Sequence, residues 1–256
     1  MKKFSIFNFQ FSINKSGLIF LVLFIILGIV AFQIPVNVLE GAKVKFTLFD
    51  IYAPMTGAFL GSAIGVFAVL LMQSFNLLIH GFSGVQSDST LKLIATMRFL
   101  PLILGTLYFA IANIGTTRKG FSLTGVLILV VPLLSIIAFV LHPIGRTVWY
   151  YSLFWLIPLA AWPIKNRFLL ARALGSTFTA HAVGGAVWIW AFNLPSNVWI
   201  SLIPVVALER AIFALGISAS YILMNNVLSY LCSVRLILES FKIDEKYVLK
   251  SINHKP

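Results

Sequence analysis

The sequence predicts an all-α, polytopic transmembrane helical bundle of about eight helices, with six as the lower bound. Three observations carry that prediction. The 256 residues are 60% hydrophobic and only 10% charged, against roughly 25% charged in soluble domains, so a water-facing surface cannot be solvated. Uncharged runs recur at the length of about 20 residues that a span needs. The net charge of +12 comes from Lys and Arg lying between those runs and in the tail, the pattern of cytoplasmic loops and of contacts with membrane lipids. That placement argues against nucleic acid as a partner. One transmembrane domain, residues 16–231, fills the chain between a basic N-terminus, 1–15, and a basic tail, 232–256. A single cysteine, Cys232, excludes an intrachain disulfide and a thiolate metal cluster.

Ser16 to Val36 is the first window. The basic start MKKFSIFNFQFSINKS resembles a signal peptide, but the run that follows is long enough to span. No small-x-small cleavage pattern follows it, so a retained first helix is expected. Phe46 to His80 carries one charge, Asp50, over 35 residues. It is too long for one ordinary span and sufficient for two short ones. Gly57, Gly61 and Gly65 are four apart. On one helix they share a face that admits a neighbouring backbone; a break at Gly57 to Gly61 makes the stretch a hairpin instead.

Phe99 to Thr117, Phe121 to Leu141 and Thr147 to Ile164 are the next windows. His142-Pro143 marks a helix end, and Lys165, Arg167 and Arg172 form a basic loop. Trp149, Tyr150, Tyr151, Trp155 and Trp162 bracket the third of these windows as interfacial aromatics. Ala173 to Leu208 is uncharged, with the turn signal Asn193-Leu194-Pro195-Ser196-Asn197 inside it. The last span runs from Trp199 to about Leu231 and contains Glu209-Arg210. The tail from Ser233 shows no clear fold. Eight crossings with both termini cytoplasmic place thirteen of the nineteen Lys and Arg inside, five outside and Arg210 within a span. Seven crossings separate the basic termini, so the positive-inside bias favours eight and a multi-pass protein of the cell membrane.

Charged and polar residues inside apolar spans are functional candidates, because each is costly there. Asp50 reads as a solute or cation partner, or as a carboxylate capping the helix it begins. His181, Gly185 and Trp188 share a helix face. Either the gap over Gly185 admits a flat polar ligand, or it admits a neighbouring helix while His181 bonds a carbonyl. Glu209 and Arg210 point about 100° apart, so they are not expected to form a simple local ion pair. They reach a second helix or a solute, or lie at the interface with Arg210 snorkelling. Counted from the turn at 193–197, His181 and Arg210 lie about 18 and 20 Å deep at helical rise, on helices expected to be neighbours. The predicted binding residues are therefore Asp50, His181, Trp188, Glu209 and Arg210. The four histidines show no metal-ligand spacing. There is no GxxxxGK[ST], HExxH or GxSxG, so ATP-driven transport needs another subunit. No cofactor is expected.

The segment FTLFDIYAPMTGAFLGSAIGVFAVLLMQ, with Asp50, Pro54, Gly57, Gly61 and Gly65, resembles the early helices of substrate-binding S components of energy-coupling factor transporters. The quoted segment, Phe46 to Gln73, is 28 residues long. The family usually has six helices, and neither the first helix nor the second half of this chain matches its pattern. The resemblance implies uptake of a vitamin or precursor with a transmembrane coupling subunit and ATPase subunits. Read from the residues themselves, the chain is a transport protein, or a substrate-binding membrane component, for a small polar or aromatic solute. Two alternatives stand beside it. One is an intramembrane enzyme using Asp50, His181 and Glu209 as acid–base groups, which must then lie within about one water of each other. The other is a ligand-free structural or assembly protein.

Overall fold

The computed structural model describes residues 15–39, 44–80, 99–113, 123–234 and 243–249. Residues 1–14 of the basic N-terminus, the loop cations Lys92, Arg98, Arg118 and Lys119, and the rest of the tail lie outside the described residues. Within them the chain is an all-α bundle with one small hairpin. Helix α1, Lys15–Phe32, leads into strands β1, Pro35–Leu39, and β2, Val44–Thr47. They pair antiparallel, with Val38 opposite Lys45. Helices α2, Leu48–Leu60, and α3, Ser62–His80, follow, then α4, Phe99–Asn113, and α5, Leu123–Leu141. The short α6, Pro143–Thr147, and α7, Ile157–Ala161, precede α8, Leu169–Phe192, and α9, Ser196–Ser233.

Among the described residues, three helical stretches are long and apolar enough to cross a membrane: Ser62–Ile79, Leu123–Leu141 and Ser196–Ser233. Their outward side chains agree with a lipid surround. On α5, Leu127, Leu134, Ile137 and Leu141 are all exposed, and a water-soluble helix does not turn such residues outward in a contiguous row. At 1.5 Å per residue the 38 residues of α9 measure about 57 Å. A bilayer's hydrocarbon core is about 30 Å thick. The far end of α9 therefore extends past the apolar layer.

Helix α2 is the axis of the bundle. Every residue from Ile51 to Leu60 is buried, enclosed by α1, α3, α4 and α9. The three glycines do not line one helix face. Gly61 separates α2 from α3 with φ +84°, a left-handed conformation that glycine adopts without steric cost. The chain then doubles back, and Gly57 and Gly65 face each other across the hairpin. A Cβ on Gly65 would sit 2.5 Å from Gly57 Cα. The close backbone approach that the spacing foreshadows thus lies within a helical hairpin.

Thr147 to Ile164 is not one regular helix. It runs as a 3₁₀ stretch, Trp149–Leu156, then α7, then a second 3₁₀ turn, Trp162–Ile164. Pro158 and Pro163 each remove a backbone donor and clash with the preceding turn, which breaks α-helical continuity. Of its aromatics only Trp149 and Tyr150 are exposed, whereas Tyr151, Trp155 and Trp162 are buried. An interfacial belt therefore accounts for two of these rings, and the other three are core. Tyr151 and Trp155 pack with Phe139, Phe178, Ile189 and Trp199 in a cluster distinct from the one around α2. His142 does mark a helix end: its Nδ1 accepts from the Ile144 N–H at 3.3 Å to cap α6.

Candidate functional site

Glu209 and Arg210 lie well inside α9, 6% and 5% exposed, not at an interface. They do form an ion pair, Arg210 Nη2 to Glu209 Oε2 at 2.7 Å, contrary to the expectation for sequence neighbours. The Arg210 side chain is long enough to fold back across the 100° between the two positions, and surrounding groups fix it there. Its Nη1 donates to Thr177 Oγ1 on α8 at 3.3 Å. Its guanidinium carbon lies 4.4 Å from the Phe213 ring centre and 5.1 Å from that of Phe46, a cation–π arrangement. Arg210 Nε is buried without a hydrogen-bond partner.

Thr177 is one helical turn before His181, so the two share a face of α8. His181 Nε2 and Tyr151 Oη are 3.1 Å apart, and the His181 ring sits among Tyr151, Trp155 and Phe178. The gap over Gly185 is filled by protein. A Cβ there would meet Trp155 Cζ2 at 2.5 Å, so this glycine accommodates an indole and not a ligand. Trp188 packs against Phe192 at 5.0 Å, farther along α8.

Asp50 is not the N-cap of α2. Thr47 holds that position and Asp50 is the third helical residue. Its Oδ2 accepts from the Thr47 N–H at 2.8 Å and from the Thr47 hydroxyl at 3.4 Å, which satisfies an amide that a helix start leaves open. Phe46, four residues before Asp50, lies against the Arg210 guanidinium, and Thr177, one turn from His181, accepts from it, which places Asp50 and His181 on either side of the Glu209–Arg210 pair. The β-hairpin completes this region: Phe46 on β2 packs edge-on to Phe213 at 5.3 Å. Asp50, His181, Glu209 and Arg210 are therefore gathered into one aromatic-walled cluster, with Glu209 and Arg210 buried and Asp50 and His181 half-buried, while Trp188 packs at the edge of the neighbouring aromatic core. Tyr151 and Thr177 belong to the cluster and were not predicted. Tyr151 reads from sequence as one interfacial ring among several, and only its hydrogen bond to His181 separates it from them.

A second buried arginine, Arg172, was read as part of a basic loop. It lies in the first turn of α8 and is 5% exposed. Its Nε donates to the Lys165 carbonyl at 2.8 Å and its Nη1 to Asn113 Oδ1 at the end of α4. Asp244 of the tail lies 3.8 Å from Nη1. Lys165 is buried too, with Nζ 4.2 Å from the Trp162 ring centre.

No protein-family model matches the chain, and neither a curated protein nor a solved structure is similar to it. Among the described residues no group of three His, Cys, Asp or Glu is arranged to hold a metal ion. A surface groove lies between α4, α5 and α8, lined by Leu104, Leu134, Ser135 and Trp190 among others, with a volume of about 680 Å³. None of the cluster's residues lines it.

Proposed function

We propose that the protein is a multi-pass membrane transport protein, or the substrate-binding membrane component of one, for a small polar or aromatic solute. The observation that carries this is the gathering of Asp50, His181, Glu209 and Arg210 at one place in an apolar helical protein. Each costs free energy in a bilayer, and such groups facing a bundle interior mark solute or ion paths. Arg210 has a buried Nε without a partner, and its forked donors suit a carboxylate or phosphate. The rings of Phe46, Phe213 and Tyr151 supply flat walls. A solute reaches the buried Glu209–Arg210 pair past the half-buried Asp50 and His181. Eight segments cross the membrane, with both termini cytoplasmic. Energy comes from separate ATPase and coupling subunits, in keeping with the resemblance of residues 46–73 to S components of energy-coupling factor transporters. The enzyme reading is less well supported, because His181 is engaged by Tyr151 and Glu209 by Arg210.

The test is thermal stabilisation of the detergent-purified protein by a panel of water-soluble vitamins and their precursors. At least one member should raise the melting temperature of the native chain and leave His181→Ala and Arg210→Gln unmoved, each purified as folded protein and compared with its own ligand-free melting temperature. A panel without effect on the native chain, or one that stabilises all three proteins alike, overturns the reading.

A further inference from the structure

The tail residues Ile243–Leu249 do not simply trail from the bundle. Two adjacent asparagines on α9 read their backbone. Asn225 Nδ2 donates to the Asp244 carbonyl at 3.0 Å, and its Oδ1 accepts from the Asp244 N–H at 2.9 Å. Asn226 Nδ2 donates to the Tyr247 carbonyl at 2.8 Å, and its Oδ1 accepts from the Leu249 N–H at 2.7 Å. A primary amide matches a peptide's donor and acceptor in this way without regard to side chains. Both asparagines are buried, Asn225 completely.

Side chains then select the peptide. Asp244 lies 3.8 Å from Arg172 and accepts from the Tyr221 hydroxyl at 3.4 Å. Ile243 and Tyr247 pack against the core cluster around α2, with the Tyr247 ring edge-on to Tyr221 at 6.0 Å. Lys246 Nζ donates to the Arg167 carbonyl at 2.8 Å. The groups beneath the tail, Asn113, Arg172 and Tyr221, end α4, begin α8 and lie on α9. The tail thus bridges three helices at one end of the bundle. Asn225 is 15 residues beyond Arg210 on α9, about 22 Å at helical rise.

We infer that the C-terminal part of α9 is a peptide-binding groove for an Ile-Asp-x-x-Tyr segment that makes one 3₁₀ turn at Glu245–Tyr247, that residues 243–249 are its ligand in the same chain, and that the docked segment is a releasable latch. When seated it ties α4, α8 and α9 together over Arg172; when released it exposes Arg172, Asn113 and Tyr221. The latch gains its part in solute release from the transport reading above, but its docking does not depend on that reading.

The test is trypsin cleavage of the intact chain after Lys246, read by mass spectrometry, because a protease needs this backbone free. Leu249→Pro removes the N–H that Asn226 accepts and fixes φ at a residue that is 59% exposed, and it changes no residue of the bundle. Asn226→Ala removes the other partner. Each single variant should speed cleavage at this bond at least tenfold, and the double variant should cleave no faster than Asn226→Ala, which already breaks the Leu249 contact together with the one to the Tyr247 carbonyl. A native chain cut at Lys246 as fast as Leu249→Pro, or multiplicative effects in the double variant, overturns the latch. Should Asn226→Ala fail to fold, Leu249→Pro alone decides: unchanged cleavage refutes the proposal. Because no solute is involved, the latch and the transport reading can fail independently.

Discussion

Two arginines are buried to the same degree, 5% each, and are satisfied in different ways. Arg210 sits beside its own counter-ion at 2.7 Å and otherwise meets a hydroxyl and two aromatic faces. One of its nitrogens is left without a partner. Arg172 meets a main-chain carbonyl and an asparagine amide, and its carboxylate stands off at 3.8 Å on a side chain 29% exposed. The first is a charge pair enclosed in apolar protein with spare donor capacity. The second is a structural hub at the end of the bundle, where neutral acceptors do most of the holding. A buried charge with an unused donor is a candidate for binding, and one whose donors close helix ends is a candidate for architecture.

The largest expected effect follows from that difference. Glu209→Ala should destabilise the protein by about 3–5 kcal/mol, because it strands a buried guanidinium. Unfolding in detergent, followed by circular dichroism, measures it. A cost near that of an average surface substitution would mean that Arg210 reaches water or other partners, and the contrast with Arg172 would vanish.

Glycines near each arginine sharpen the comparison sterically. A Cβ on Gly175, one turn from Arg172, would lie 2.2 Å from two ring carbons and from the hydroxyl oxygen of Tyr108. That ring is pinned by its hydroxyl donating to the Pro158 carbonyl at 2.8 Å. A Cβ on Gly185, one turn from His181, would lie 2.5 Å from a single close atom of Trp155. Overpacking costs about 1–3 kcal/mol. Gly175→Ala should fall at the top of that range and Gly185→Ala lower, in the same unfolding measurement. Gly185→Ala should also change tryptophan fluorescence, because Trp155 must shift. The reverse order would show that the wall around His181 is the more rigid of the two ends.

These contrasts were legible in the sequence only where charge or hydropathy carried them. The apolar windows located the long helices, and Asn193 marked the turn, where it adopts φ 47°. Equal depth for His181 and Arg210 followed from counting residues away from that turn, and Arg210 indeed bonds Thr177 one turn from His181. The β-hairpin was missed because strands of five and four residues leave too short an alternation to stand out beside apolar helices. The 3₁₀ path was missed because a proline signals a break without saying what replaces the helix. Arg172 was assigned to a loop because its neighbours in sequence, Lys165 and Arg167, are basic. Its burial depends on Asn113 and Asp244, 59 and 72 residues away, and no local pattern reports that. The tail clamp has the same origin: Asn225-Asn226 reads as two polar residues near a helix end until the backbone they hold is in place.

The smallest expected effect tests whether Arg172 needs its carboxylate. Asp244→Asn keeps the N–H and carbonyl that Asn225 binds, so the tail stays docked and only the charge is lost. At 3.8 Å, with the carboxylate partly exposed, the pair resembles a surface ion pair, worth about 0–1 kcal/mol. Salt screens such a pair over a Debye length of about 3 Å at 1 M. The difference between Asp244→Asn and the native chain should therefore be small in dilute buffer and shrink further in 1 M NaCl. The cost of Glu209→Ala should change little with salt, because both charges of that pair are buried. Equal costs for the two variants, both insensitive to salt, would place Asp244 and Arg172 in the same buried-pair regime as Glu209 and Arg210. The two arginines would then differ in location only, and spare donor capacity at Arg210 would no longer single it out as the candidate for binding.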